Sequence, residues 1–136
     1  MSVEVALKRM VEKGVVPTDF QVTYDDMHGL WGGTTIVITG KGNGQRRERE
    51  NGGADPKEFE RAITREQLLE LAKLLVEQKA WEQRTPEREP LPDESRSRLK
   101  IEVDGQTSGM WEWFNDMEKN ERLIKIQTKM KQMTQP

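Results

Sequence analysis

Asp25, Asp26 and His28 set two carboxylates beside the chain's single histidine. Such a trio is raw material for a divalent-metal site or for acid–base catalysis. Three neighbours supply only part of a coordination shell, and hydrolytic zinc sites ordinarily draw on several histidines. The segment reads better as a solvated loop, with a metal-dependent or hydrolytic enzyme as the alternative. Gly40, Gly42 and Gly44 form a second grouping, directly after the apolar run Thr34 to Thr39. Glycine turns after strands can cradle phosphate, but a Walker loop needs G-x-x-x-x-G-K-[ST]. Gly40-Lys41-Gly42-Asn43-Gly44 lacks that spacing and the hydroxyl. The following Gln45 to Glu50 has no apolar face for the helix that a nucleotide loop requires. A hairpin turn is the better reading.

Arg46, Arg47 and Arg49 form a third grouping, which could grip phosphate groups. Glu48 and Glu50 cancel much of that field, and no aromatic alternates with the arginines as a single-strand binder would want. This run reads as a solvated edge strand. None of these groupings implies a cofactor or a metal. The aromatic residues point elsewhere. Met110, Trp111, Trp113 and Phe114 are the densest cluster, and Trp111 and Trp113 read as core. Trp31, in a Gly-rich loop, serves core or interface equally well. Lys125 and Lys129 flank a seam of Leu123, Ile126, Met130 and Met133 on the last helix. That helix could meet an acidic partner or its twin in a homodimer, although packing on its own sheet is the commoner outcome.

The elements that position these residues are legible in outline. Ser2 caps a first helix with Val3, Ala6, Leu7, Met10 and Val11 on one face, and Gly14 stops it. Phe20 to Tyr24 is a strand and Asp25 to Gly33 a loop. The second strand has Ile36 and Ile38 on one face. The Arg46 to Arg49 strand then lies at the sheet edge, shielded by its charge, and Glu58 to Ile63 forms a further short strand. Thr64, with Gln67 three residues on, caps a helix from Arg65 to about Trp81. Leu68, Leu69, Leu71, Ala72, Leu74, Leu75 and Val76 girdle more than half of it, so it must touch a second element besides the sheet. Residues 83–97 carry Pro86, Pro90 and Pro92 among charges and read as the most mobile connection.

Leu99, Ile101 and Val103 alternate with charged residues up to Asp104-Gly105, the strongest hairpin signal in the chain. Two registers compete here. A two-residue loop pairs Leu99 with Met110 and leaves both tryptophans on the charged face. A bulged three-residue loop sets Trp111 and Trp113 beside Leu99 and Ile101. Burial of two tryptophans favours the bulged loop. Asn115, followed by Glu118, opens the last helix.

Composition bounds the function. The 136 residues suit one domain, and 22 basic against 24 acidic side chains give a net charge of −2, which disfavours nucleic acid as a partner. There is no cysteine, hence no disulfide or thiolate site. No stretch approaches the length of a membrane helix and no apolar leader opens the chain, so a cytoplasmic protein without membrane contact is expected.

The order of elements resembles a known group. Phe20 to Tyr24, then Gly29-Leu30-Trp31-Gly32-Gly33, a Leu-rich helix, Pro92-Asp93, and Trp111-Glu112-Trp113-Phe114 before a last helix resemble small bacterial proteins of the emfourin-like kind. That group includes protein inhibitors of thermolysin-type metalloproteases, and related bacterial domains of unknown function share the layout. The resemblance spans Phe20 to Met133, and the Arg46 to Asp55 stretch departs from it. It implies a non-enzymatic interaction domain and assigns no inhibitory residue. The expected fold is α+β: an antiparallel sheet of four to six strands, the Arg65 helix on one face, and the terminal helices at an edge or on the other face. The expected function is a protein-interaction module, with Trp31, Arg46, Arg47, Arg49, Lys125 and Lys129 as its contacts.

Overall fold

The first helix, α1 (Val3–Lys13), starts and stops at its predicted caps. The Ser2 hydroxyl accepts the Val5 amide at 3.2 Å, and Gly14 closes the helix in the left-handed region at φ 65°. Val3, Ala6, Leu7 and Met10 are buried. Val11, expected beside them, is exposed; it lies about 100° round the helix from Met10, past the rim of the apolar stripe. The computed structural model describes residues 1–28, 32–50 and 55–135. After α1 come β1 (Gln21–Asp25), β2 (Gly33–Thr39), β3 (Asn43–Arg49), β4 (Lys57–Ala62), α2 (Arg65–Glu77), β5 (Arg96–Val103), β6 (Gln106–Trp113), a 3-10 turn (Phe114–Lys119) and α3 (Glu121–Met133).

The strands form one antiparallel sheet in the order β4-β3-β2-β1-β5-β6. The arginine strand β3 is therefore interior, not the edge expected for it. Its polar side chains find complementary ones on β4. Arg47 lies opposite Glu58 and Gln45 opposite Glu60, and the Gln45 amide donates to the Glu60 carboxylate at 3.0 Å. Opposite-charge pairs across strands are stabilising, so two strands with little apolar content can still extend the sheet. Gly40-Lys41-Gly42 makes the β2–β3 turn, whereas Gly44 lies within β3, beneath the end of α3. A Cβ there would meet Thr134 Cγ2 at 2.9 Å and Ile63 Cδ1 at 3.0 Å.

All three helices pack on one face. Val22, Tyr24, Ile36, Ile38, Leu99, Ile101, Val103 and Met110 of the sheet share one core with Leu7, Met10, Leu71, Leu75, Leu123, Ile126 and Met130. Helix α2 lies between α1 and α3. This explains its wide apolar girdle: Leu68, Leu71, Ala72 and Leu75 are buried, and Leu69, Leu74 and Val76 are partly so. The α2 capping box forms as expected, with Gln67 N–H donating to Thr64 Oγ1 at 3.1 Å and Thr64 N–H donating to Gln67 Oε1 at 2.9 Å. The terminal helices do not take an edge or the opposite face. Among the described residues, no helix covers the second face of the sheet.

The β5–β6 register corrects the expected bulge. Val103 pairs with Gln106 and Leu99 with Met110, and Asp104 and Gly105 both have positive φ (49° and 74°), the signature of a two-residue type I′ turn. Asp19 braces this turn, its two carboxylate oxygens accepting from the Asp104 and Gly105 amides at 3.0 and 2.8 Å. The register turns Glu112 inward, where it is buried. Its carboxylate accepts from Asn120 Nδ2 at 3.1 Å and from the Trp113 amide at 2.9 Å, which offsets the cost of desolvation. The last helix starts at Asn120, not Asn115. The Asn120 side chain caps it by accepting from Leu123 N–H at 3.0 Å, and Asn115 falls in the 3-10 turn.

Candidate interaction site

The uncovered face can be read row by row from the pairing. One row crosses all six strands: Glu58, Arg47, Thr35, Asp25, Arg98 and Trp111. The parallel row runs Glu60, Gln45, Val37, Thr23, Lys100 and Gly109. Both rows are mixed in charge. The β5 end differs from the rest. There Trp111 and Trp113 meet edge to face, centroids 5.0 Å apart at 82°. The Arg96 guanidinium sits against both rings, 4.1 Å from the Trp111 centroid and 4.9 Å from that of Trp113. Arg88 approaches Trp113 at 5.1 Å. Cations over indole faces are attracted by the ring quadrupole. The tryptophans thus lie on the charged face and still lose water. Trp113 is buried and Trp111 half-buried.

Residues 83–97, expected to be the most mobile connection, strap this end of the sheet. The Gln83 side chain binds the outer edge of β6 as a neighbouring strand would: its amide donates to the Trp111 carbonyl at 3.1 Å, and its oxygen accepts the Trp111 N–H at 2.7 Å. Thr85 Oγ1 donates to the same carbonyl. Further along, Arg88 makes two hydrogen bonds to Glu94, at 2.8 and 2.5 Å, and a third to Asp116 at 3.0 Å. The Glu94 side chain is fully covered. The Arg88 hydrogen bonds, with help from the Leu91 amide, hold its carboxyl down at about 2, against an ordinary 4.5. Pro90, Glu94, Ser95, Arg96, Arg98 and Trp113 line a cleft of about 330 Å³ between strap and sheet.

The predicted contact residues do not converge. Trp31 lies outside the described residues. Arg46 faces the helices. It pairs with Glu48 and donates to the Lys131 carbonyl at the end of α3 (3.2 Å), so it closes a helix instead of facing solvent. Arg47 stands exposed on the open face, 3.7 Å from Glu58. Arg49 donates to the His28 carbonyl. Lys129 bridges to Glu70 of α2 at 2.8 Å, and Lys125 is exposed on α3. The Leu123, Ile126, Met130 and Met133 seam is buried in the chain's own core, which leaves only the basic flank of α3 to a partner.

The Asp25–His28 segment is also divided. Asp25 Oδ1, on the open face, accepts from Thr35 Oγ1 at 3.0 Å and the Met27 amide at 2.9 Å. Asp26 turns to the helix face and is buried. It accepts from the Tyr24 hydroxyl at 2.8 Å and the Thr34 amide at 2.6 Å. The Tyr24 hydroxyl in turn accepts from Gln127 of α3 at 2.8 Å. Burial, reinforced by the charge of Asp26, pushes the Tyr24 phenol far above its usual range, so it remains a proton donor. The trio supplies no shared cleft, and among the described residues no group of three His, Asp or Glu side chains is placed to hold a metal.

The cluster that does assemble, Arg88, Arg96, Arg98, Trp111 and Trp113, was readable only through the Asp104-Gly105 turn. Given its type I′ register, alternation puts these β5 and β6 residues on the face opposite Leu99 and Met110. No family model matches the chain, and no curated protein matches it.

Proposed function

We propose that this chain is a cytoplasmic, non-enzymatic protein-interaction module that meets its partner with the open face of the sheet. The observation that carries this reading is the placement of exposed Arg96 and Arg98 beside half-buried Trp111 on a face that no helix covers among the described residues. Tryptophan and arginine are the residues most enriched at interface hot spots. The divergence of Asp25 and Asp26 favours this over a hydrolytic site. The emfourin-like layout points the same way, toward a domain that acts by binding. A second reading, single-stranded nucleic acid on the same face, draws on the arginine–indole contacts; Asp25, Glu58, Glu60 and Glu102 on that face work against it.

Affinity capture from native-host lysate with three baits tests the proposal: wild type, Arg47→Glu/Arg98→Glu on the open face, and Lys125→Glu on α3. The open-face pair should lose specific protein partners that wild type and the α3 variant retain. Identical partner sets for all three baits would reject the open face as the contact.

A further inference from the structure

Arg96 and Arg98 are set apart by their missing counter-ions. Lys100, next on the same face of β5, pairs with Glu102 at 3.0 Å; Arg47 lies near Glu58; Arg88 is taken by Glu94 and Asp116. Among the described residues, neither Arg96 nor Arg98 has a carboxylate within ion-pair distance. Asp25, opposite Arg98 in the register, spends its Oδ1 on Met27 and Thr35 instead. Arg96 is held by two indole faces, which leave its N–H groups without an anion. A guanidinium whose orientation is set in advance loses less freedom when it binds, so its hydrogen bonds count for more.

From this we infer that the Arg96–Arg98 pair receives an extended acidic segment of a partner protein, with carboxylates on alternate residues. The inference rests on the interaction reading above and names the partner's chemistry. Arg96 and Arg98 are themselves two residues apart on a strand, so their spacing of about 6.7 Å equals that of alternate side chains in an extended peptide. Guanidinium and carboxylate match in a two-pronged geometry. Gln83 and Thr85 already occupy the Trp111 backbone groups beside the cleft, so the segment lies on the face, along the cleft under Pro90. A nucleic-acid strand, charged at every unit, fits less well: extended along the face it would also run against Glu58, Glu60 and Glu102, whereas a short segment with carboxylates on alternate residues needs only the Arg96–Arg98 end.

The test uses the full chain with 15N-labelled indoles and three probes: a blocked ten-residue peptide of alternating Glu and Ser, the same peptide with Gln for Glu, and ten-residue oligothymidylate. The Glu peptide should shift the Trp111 and Trp113 indole signals at low salt, lose affinity as salt rises, and bind at least about tenfold more weakly to Arg98→Gln. Arg96→Lys, which keeps the charge and loses the planar contact, should bind with intermediate affinity. Unchanged circular dichroism shows that these variants are folded. The inference is overturned if the Glu peptide shifts neither indole at millimolar concentration, if the Gln peptide does as well, or if the oligonucleotide alone binds. The broader reading fails separately. Loss of captured partners by Arg47→Glu/Arg98→Glu with no response to the Glu peptide would keep the open face and discard the acidic occupant.

Discussion

Arginine does most of the unusual work at the level of single residues, in three different ways. Arg122, on α3, donates to the carbonyls of Gln78 (2.7 Å), Lys79 and Glu82 (3.1 Å), closing the C-terminal end of α2. Burial lowers its pKa, yet it stays cationic where the helix dipole favours a positive charge. Arg122→Ala should cost about 1–3 kcal/mol by removing the side-chain donor to the Gln78 and Glu82 carbonyls, while the Lys79 carbonyl keeps the Glu82 N–H, measurable by urea unfolding. Arg88 instead stabilises an acid. Glu94 titrates at about 2 in the folded chain and at about 4.5 when released. Its contribution is therefore complete above pH 4.5 and is lost as pH falls toward 2. Tryptophan emission should report loosening of the strap over Trp113 in that window. If Glu94→Gln gives the same acid profile as wild type, the Arg88–Glu94 pair is not the cause. Arg96 is the third case, packed on indole and without a carboxylate.

At the level of elements, each end of the sheet is finished differently. β4 is an edge guarded by Lys57, Glu58, Glu60 and Arg61, whose charges discourage pairing with other chains. β6 is an edge that Gln83 seals at Trp111. Gln83→Ala should uncover the Trp111 N–H, while Thr85 keeps its bond to the carbonyl, and speed hydrogen exchange of the Trp111 amide by about tenfold or more, a local change with little effect on core amides. An unchanged exchange rate would mean that the edge is protected by something other than the Gln83 amide. Gly44 shows how closely α3 comes down on β3. Gly44→Ala must displace Thr134 or Ile63, and overpacking of this kind costs about 1–3 kcal/mol; a midpoint equal to wild type in thermal unfolding would show that the α3 end yields freely. The caps of α1 and α2 and the alternation of β2 and β5 were legible because each is a local, short-range pattern. The start of α3 was not, since Asn115 and Asn120 both offer a capping side chain. Only the 3-10 turn that carries the chain from β6 back over the core selects Asn120.

Across the whole molecule, the governing asymmetry is three helices on one face of a six-stranded sheet. The sequence by itself determined the α+β class, most element boundaries and the apolar stripes of α1, α2 and α3. It also favoured a hairpin turn over a nucleotide loop at Gly40–Gly44, although the structure puts Gly44 within β3. Tertiary structure alone decided the order of the strands, the face left open and the site on that face. The physical reason lies in the β5–β6 hairpin. A one-residue slip exchanges its two faces, and burial of Trp111 and Trp113 argued for one register while the Asp104-Gly105 turn argued for the other. The turn prevails because the tryptophans can shed water without entering the core: Arg96 and Arg88 cover their faces, the strap closes over them, and Met110 and Glu112 fill the interior in their place. Arg96 is a cross-strand neighbour of Trp113 in the same hairpin, but Arg88 and the strap come from outside it, so the local pattern offered the aromatic charged face as one of two registers and only the tertiary cover selects it.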